Sequence, residues 1–311
     1  PVAVATRWQR ELAQAVRDPQ ELMRLLELSG SGISVEASRQ FKLLVPHSYL
    51  QRMRKGSWDD PLLRQVLPLD EELQVVEGFN HDPVGDQYVI VANGVLHKYA
   101  GRILLITTGA CAVHCRYCFR RHFPYADANP IKGEWEAALN YIRSQPDVRE
   151  VILSGGDPLT LSDERLLSFF NQLNTIAHIK RVRFHSRLPV VLPARIDAGF
   201  LKLLELVSPD VAQALTALRA AGVTLLNQAV LLRGVNDNVP ALVELSESLF
   251  AHGVLPYYLF VLDRVAGSAH FEVPETQAIQ LVAAMRNQLP GFLVPKLTRE
   301  IAGEKAKTPI F

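Results

Sequence analysis

The sequence predicts an α/β protein built as a partial (β/α) barrel, with a helical N-terminal extension before it and a functional C-terminal segment after it. Two patterns carry this reading. From residue 102 onward, short apolar runs of β type alternate with amphipathic helical runs, the signature of parallel strands joined by right-handed crossovers. All three cysteines of the 311-residue chain, Cys111, Cys115 and Cys118, fall within eight residues directly after the first of those strands. That is the C-terminal end of a barrel strand, where barrels carry their chemistry.

The elements follow in order. Trp8, Leu12, Val16, Leu22, Leu25 and Leu26 recur at helical spacing, and Asp18-Pro19 breaks the run into two helices. Val45-Pro46, Asp59-Asp60-Pro61 and Leu67-Pro68 punctuate the next stretch, so residues 1–100 read as a helical and irregular region. Strands are expected at Ile103–Thr107, Glu150–Ser154, Arg181–His185, Val223–Gln228 and Leu255–Phe260. Helices are expected at Trp135–Ser144, Asp163–Leu173, Asp197–Leu206, Val211–Ala220 and Pro240–Phe250. One irregularity stands out: the helices ending at Leu206 and starting at Val211 follow each other across Val207-Ser208-Pro209-Asp210, where the alternation calls for a strand. The barrel region spans 101–264 and the C-terminal segment 265–311.

Composition narrows the function classes. Hydrophobic residues make up 48% of the chain, enough for a sizeable core, and the net charge of +1 gives no case for a nucleic-acid or acidic-membrane surface. No apolar stretch approaches the roughly 20 residues that span a bilayer. No secretion leader is recognisable. A soluble, cytoplasmic protein is expected, without nucleic-acid or membrane partners.

Three clustered cysteines make a poor disulfide framework and a good ligand set. The spacing in Cys111-Ala112-Val113-His114-Cys115-Arg116-Tyr117-Cys118 is CxxxCxxC. Three thiolates on one short loop can each take one iron of a [4Fe–4S] cubane and leave the fourth iron open for a small molecule. The competing reading is a zinc site completed by His114 or His122, since zinc takes four closed ligands and no fourth cysteine exists.

The motif resembles the radical S-adenosylmethionine superfamily. The resemblance implies that S-adenosylmethionine chelates the open iron and is cleaved by a cluster electron to a 5′-deoxyadenosyl radical. It also implies cofactor contacts from Gly155, Gly156 and Asp157 after the second strand, from Arg187 within His185-Ser186-Arg187, and from Gln228 beside Asn227. Five further segments narrow the resemblance to the lysine 2,3-aminomutase family: Cys115 through Phe123, Gly155-Gly156-Asp157-Pro158-Leu159, Ser186-Arg187-Leu188-Pro189, Val235-Asn236-Asp237 and Pro256-Tyr257-Tyr258. The chain is most similar to the short bacterial form, which supplies (R)-β-lysine for modification of elongation factor P. The long fermentative enzymes carry a C-terminal extension with further cysteines.

That resemblance implies a second cofactor, pyridoxal 5′-phosphate. Its lysine is implied to be Lys307, just before Thr308-Pro309, and its phosphate contacts Lys98, Tyr99 and Arg102. Lys98 stands where the family usually has an arginine, which keeps the charge and loses the planar fork. Arg120 matches the arginine that pairs bidentately with the substrate carboxylate, with Arg121 as an alternative. Asp263 and Glu300 match two carboxylates that receive the ε-ammonium of lysine, with Glu300 replacing an aspartate. The implied reaction moves the amino group of L-lysine from Cα to Cβ, with S-adenosylmethionine regenerated. The implied partners are lysine, a cytosolic electron donor, and, by function, elongation factor P and its lysyl-transferase. A mutase acting on another amino acid and a non-catalytic metal-binding relative are the alternatives.

Overall fold

A computed structural model describes residues 5–30, 32–126, 135–197, 200, 215 and 218–311. Among these residues nine strands form two sheets. In the first, β1 (Ile90–Ala92), β2 (Val95–Tyr99), β3 (Arg102–Thr108), β4 (Glu150–Gly155) and β5 (Arg181–Phe184) lie side by side in chain order. In the second the order is β6 (Leu226–Val230), β7 (Leu255–Phe260), β8 (Lys296–Arg299) and β9 (Thr308–Pro309). The pairs β3–β4, β4–β5, β6–β7 and β7–β8 are parallel. These are two arcs of a partial barrel. Among the described residues, β5 and β6 each end their sheet and the barrel does not close between them.

Burial follows from these roles. β4 is buried from Val151 to Gly155, the near-continuous apolar run of a parallel strand covered on both faces. β5 and β6, at the open seam, are half exposed. The main core joins the first sheet to the N-terminal region: Leu22, Val45, Tyr49 and Leu63 share it with Ile103, Leu105, Val151 and Leu153. A second cluster, including Leu259, Ala278, Met285 and Leu297, packs the helix Glu275–Arg286 against β7 and β8.

The N-terminal helices form at Arg7–Ala13 and Pro19–Leu25, the second capped by Asp18, whose side chain accepts from the Gln20 amide at 3.0 Å. Other boundaries fall within a residue or two of expectation. The main exception is Val223–Gln228, which becomes β6 at Leu226–Val230. Gly222, at φ +73°, and the Val223 amide, bonded to Leu218 O at 3.0 Å, first terminate the preceding helix, so the chain extends later. Residues 90–99, expected to be irregular, form the antiparallel β1–β2 hairpin across Asn93-Gly94. The expected helices at 197–206 and 211–220 lie, but for a few residues, outside the described residues, as does the junction at 207–210. No helix among the described residues is long and apolar enough to cross a membrane.

Candidate active site at the strand ends

The cysteine loop leaves the end of β3 and is braced from two directions. The first brace is the N-terminal region. The His114 amide donates to Leu44 O at 3.1 Å and the Arg116 amide to Gln65 O at 2.8 Å. Arg116 is fully buried; its guanidinium donates to both oxygens of buried Glu72, at 2.8 and 2.7 Å, and to Ala37 O at 3.1 Å. Arg121 reaches the same carboxylate at 2.8 Å. A carboxylate removed from water requires such charged partners. The second brace is the loop after β4. The Gly156 amide donates to Thr108 O and the Asp157 amide to Ala110 O, both at 2.7 Å. A Cβ on Gly156 would stand 2.1 Å from the Ala110 carbonyl oxygen, so only glycine permits this approach.

The thiols suit a cluster. Burial, then the neighbouring thiolate of Cys118, pushes Cys111 up; burial, then Cys115, pushes Cys118 up to about 11. Cys111 and Cys118, whose ionisation burial and a neighbouring thiolate discourage, need a cationic partner to become thiolates. Among the described residues no three His, Cys, Asp or Glu side chains converge as a single metal ion requires. His114 turns Nδ1 to Lys42 O at 2.8 Å, and His122 turns Nε2 to Ala266 O at 3.3 Å. Three cysteines on one short loop, as a donor set, fit a cubane with one iron left open.

Asp157 points inward. Its carboxylate accepts from the Leu159 amide at 3.0 Å, the Arg187 amide at 2.7 Å and Ser186 Oγ at 2.8 Å, and burial still raises it to about 6. It fastens the end of β4 to the end of β5. Arg187 points to the cysteine loop: Nη1 donates to Cys115 Sγ and, at 3.0 Å, to Tyr117 Oη, and Nη2 donates to Gln65 Oε1 at 3.1 Å. Gln228 is exposed on β6 and joins none of the hydrogen bonds of the other site residues among the described residues.

A second set of charges meets beside the cysteine loop. Arg120 donates to Asp86 Oδ2 at 2.7 Å and to Ser154 Oγ at 3.1 Å. Lys98 lies 3.6 Å from Asp86 Oδ1 and 2.5 Å from Glu300 Oε1, and Glu300 also pairs with Lys307. Burial alone would raise Asp86; Arg120 and then Lys98 overcome it and hold its carboxyl below the usual range. Asp263 forms no ion pair or side-chain hydrogen bond among the described residues; burial raises it to about 6, against the pull of Lys307 and Lys98. Burial lowers Lys307 to about 8, opposed by Asp263. The result is one cluster holding a guanidinium, a carboxylate without a partner among the described residues, a second carboxylate and a lysine with a lowered pKa.

The same cluster carries further polar atoms. Tyr99 Oη, Arg102 Nε and His185 Nε2 are buried and make no hydrogen bond among the described residues. Tyr99 lies under both cations, with Arg102 4.6 Å and Lys307 5.9 Å from its ring. Burial, then Arg183 and Arg120, lowers His185 to about 3, so its imidazole is neutral. Buried donors without partners among the described residues, with cations around Lys307, fit an anionic ligand. Lys98, Tyr99, Arg102, Arg120, Asp263, Glu300 and Lys307 thus come together. Asp86, Ser154, Glu72 and Gln65 complete the arrangement and were not among the sequence candidates. Each acts through a partner at least 34 residues away in sequence, and no local pattern marks them. Arg121, committed to Glu72, leaves the pocket guanidinium to Arg120.

A family profile described as the radical SAM superfamily matches residues 105–198. The L-lysine 2,3-aminomutase of Escherichia coli is 48% identical, over 97% of this chain and 94% of that protein. The protein of the same name from Haemophilus influenzae is 42% identical, over 97% and 94%. The one from Clostridium subterminale is 33% identical, over 98% of this chain and 77% of that longer protein. The Escherichia coli alignment runs 322 positions against a chain of 311 residues, so that relative carries residues with no counterpart here.

Proposed function

Because the chain belongs to the lysine 2,3-aminomutase family of radical S-adenosylmethionine enzymes, we propose that it converts L-lysine to (R)-β-lysine, using S-adenosylmethionine, one [4Fe–4S] cluster on Cys111, Cys115 and Cys118, and pyridoxal 5′-phosphate on Lys307. The observation that carries the substrate is Asp263, a largely buried carboxylate without a partner among the described residues. A carboxylate left unpaired in a protein interior costs stability unless it meets a cation. The lysine ε-ammonium is such a cation, and Glu300 stands by to share it.

The roles of the chain's own residues follow from their geometry. Arg120, aimed by Asp86 and Ser154, presents a fork suited to the α-carboxylate of the substrate. Held at both ends, the substrate cannot slide, and its Cβ is fixed relative to the cysteine loop. Pyridoxal phosphate, when bound, would supply an aldehyde carbon that condenses with amines and delocalises the electrons of a migrating amino group. Lys307 supplies its attachment, and its lowered pKa of about 8 leaves a usable fraction of neutral amine near neutral pH. Lys98, Tyr99 and Arg102 would hold the cofactor phosphate; the two unpaired polar atoms of Tyr99 and Arg102 support that assignment. Gly155 and Gly156 bring backbone close to the cysteine loop, where S-adenosylmethionine would lie.

On the resemblance to the short bacterial form alone, the proposed role extends to a supply of (R)-β-lysine for elongation factor P in a cytoplasmic setting with a one-electron donor. The test is anaerobic incubation of the reconstituted enzyme with lysine, S-adenosylmethionine, pyridoxal phosphate and a reductant, followed by chiral analysis. Formation of (R)-β-lysine supports the reading. Turnover of glutamate in preference to lysine, or no turnover by an enzyme with a full cluster, overturns it.

A further inference from the structure

Arg187 makes a contact that binding S-adenosylmethionine does not require. Its Nη1 donates to the Cys115 sulfur, one of the three cluster ligands. The guanidinium does not reach that sulfur by chance. Its main-chain amide is fastened to Asp157 at 2.7 Å, fixing where the side chain starts. Gln65 Oε1 accepts from Nη2 at 3.1 Å and from Tyr117 Oη at 3.1 Å, and Tyr117 Oη accepts from Nη1 at 3.0 Å. Gln65 is itself held in the fold: its carbonyl accepts from the Arg116 amide at 2.8 Å, and its Nε2 donates to Pro61 O at 2.9 Å. A planar fork with both ends engaged is aimed at one atom.

We infer that Arg187, positioned by Gln65 and Tyr117, donates a charged hydrogen bond to the Cys115 thiolate and thereby raises the reduction potential of the [4Fe–4S] cluster. The inference rests on the cluster reading above. The physics is direct. Reduction adds one electron, from the external donor, to a cluster that is already anionic with its thiolates. A positive N–H donor at a ligand sulfur draws off electron density and stabilises the reduced form more than the oxidised form. The guanidinium stays charged at any working pH, so the effect is constant across the enzyme's range. Arg187 is in this sense a positioning residue for the electron, separate from any contact with S-adenosylmethionine.

The test is a mediated redox titration of the anaerobically reconstituted holoenzyme without S-adenosylmethionine, read by the electron paramagnetic resonance of the reduced cluster. Iron and sulfide content are measured alongside. In R187M the potential should fall by at least a tenfold change in the one-electron equilibrium, about 59 mV. R187K, which keeps the charge and loses the fork, should fall less. Q65L, which leaves the guanidinium intact but unaimed, should also fall. R187M at the wild-type potential with full cluster content overturns the inference. If R187M assembles no cluster, Q65L and R187K decide, and wild-type potentials in both overturn it. Failure of the wild-type chain itself to assemble a cluster overturns the cluster reading instead.

Discussion

Asp263→Asn separates the cost of the proposed ammonium site from its use. The carboxyl is raised from 3.8 to about 6 because burial outweighs the pull of Lys307 and Lys98. A folded-state value above the unfolded one means the native state holds the proton more tightly. Stability is therefore full below about pH 4 and declines as pH rises towards 6, after which the loss is constant. Two pH units correspond to about 3 kcal/mol; the partial exposure of the side chain reduces this to about 1–2 kcal/mol by solvent screening. The amide cannot ionise, so cofactor-free D263N should be more stable than wild type by about that amount at pH 7.5 and equal to it at pH 4. Urea unfolding at the two pH values, under reducing conditions, measures the difference. The same substitution should raise the KM for lysine at least tenfold, because a neutral amide receives an ammonium poorly. A D263N protein that is less stable than wild type at pH 7.5, or one with an unchanged KM, would refute the argument that this carboxylate waits for a cation.

Four further outcomes are expected. Gly156→Ala should cost about 3–5 kcal/mol of unfolding free energy, since its Cβ drives apart two loops joined by two backbone hydrogen bonds; a change below about 0.5 kcal/mol, the ordinary effect of a substitution at an exposed position, argues that the loops do not touch. Glu72→Gln should cost about 3–5 kcal/mol by stranding Arg116 and Arg121 in the interior, measured by urea unfolding. Capture of pyridoxal phosphate by the apoprotein should quicken about tenfold per unit up to pH 8 and then level off, following the neutral amine of Lys307. A pH-independent rate, or normal capture by Lys307→Ala, points to another lysine. Asp86→Asn should weaken lysine binding at its carboxylate end, seen as a raised KM, because the 2.7 Å ion pair that aims Arg120 becomes a weaker bond to a neutral amide.

How much of this was legible in the sequence depended on the range of the signal. β3, β4 and β7 were readable because each is a compact apolar run, and the cysteine trio because its spacing is local. The β1–β2 hairpin carried a legible signal, Ile90-Val91 before the Asn93-Gly94 turn, and was missed because β1 is only three residues long. β8, Lys-Leu-Thr-Arg, is too short and polar to stand out, and it is a strand because β7 lies beside it. The pocket charges Arg120, Asp263, Glu300 and Lys307 were reached through resemblance, since each alone reads as a solvated group. Asp86 and Glu72 were reached by neither route: each has meaning only through arginines 34 and 44 residues downstream.

The double arginine clasp on Glu72 has a consequence for assembly. The groups that shape the cysteine loop, Ala37, Leu44, Gln65 and Glu72, all precede it in the chain. They leave the ribosome before the first cysteine does. The seat for the metal is thus prepared by ordinary protein contacts, unlike a zinc finger, whose shape exists only around its ion. Exposure to air, which dismantles iron–sulfur centres, should accordingly leave behind an intact shell able to be refilled, rather than an unravelled polypeptide.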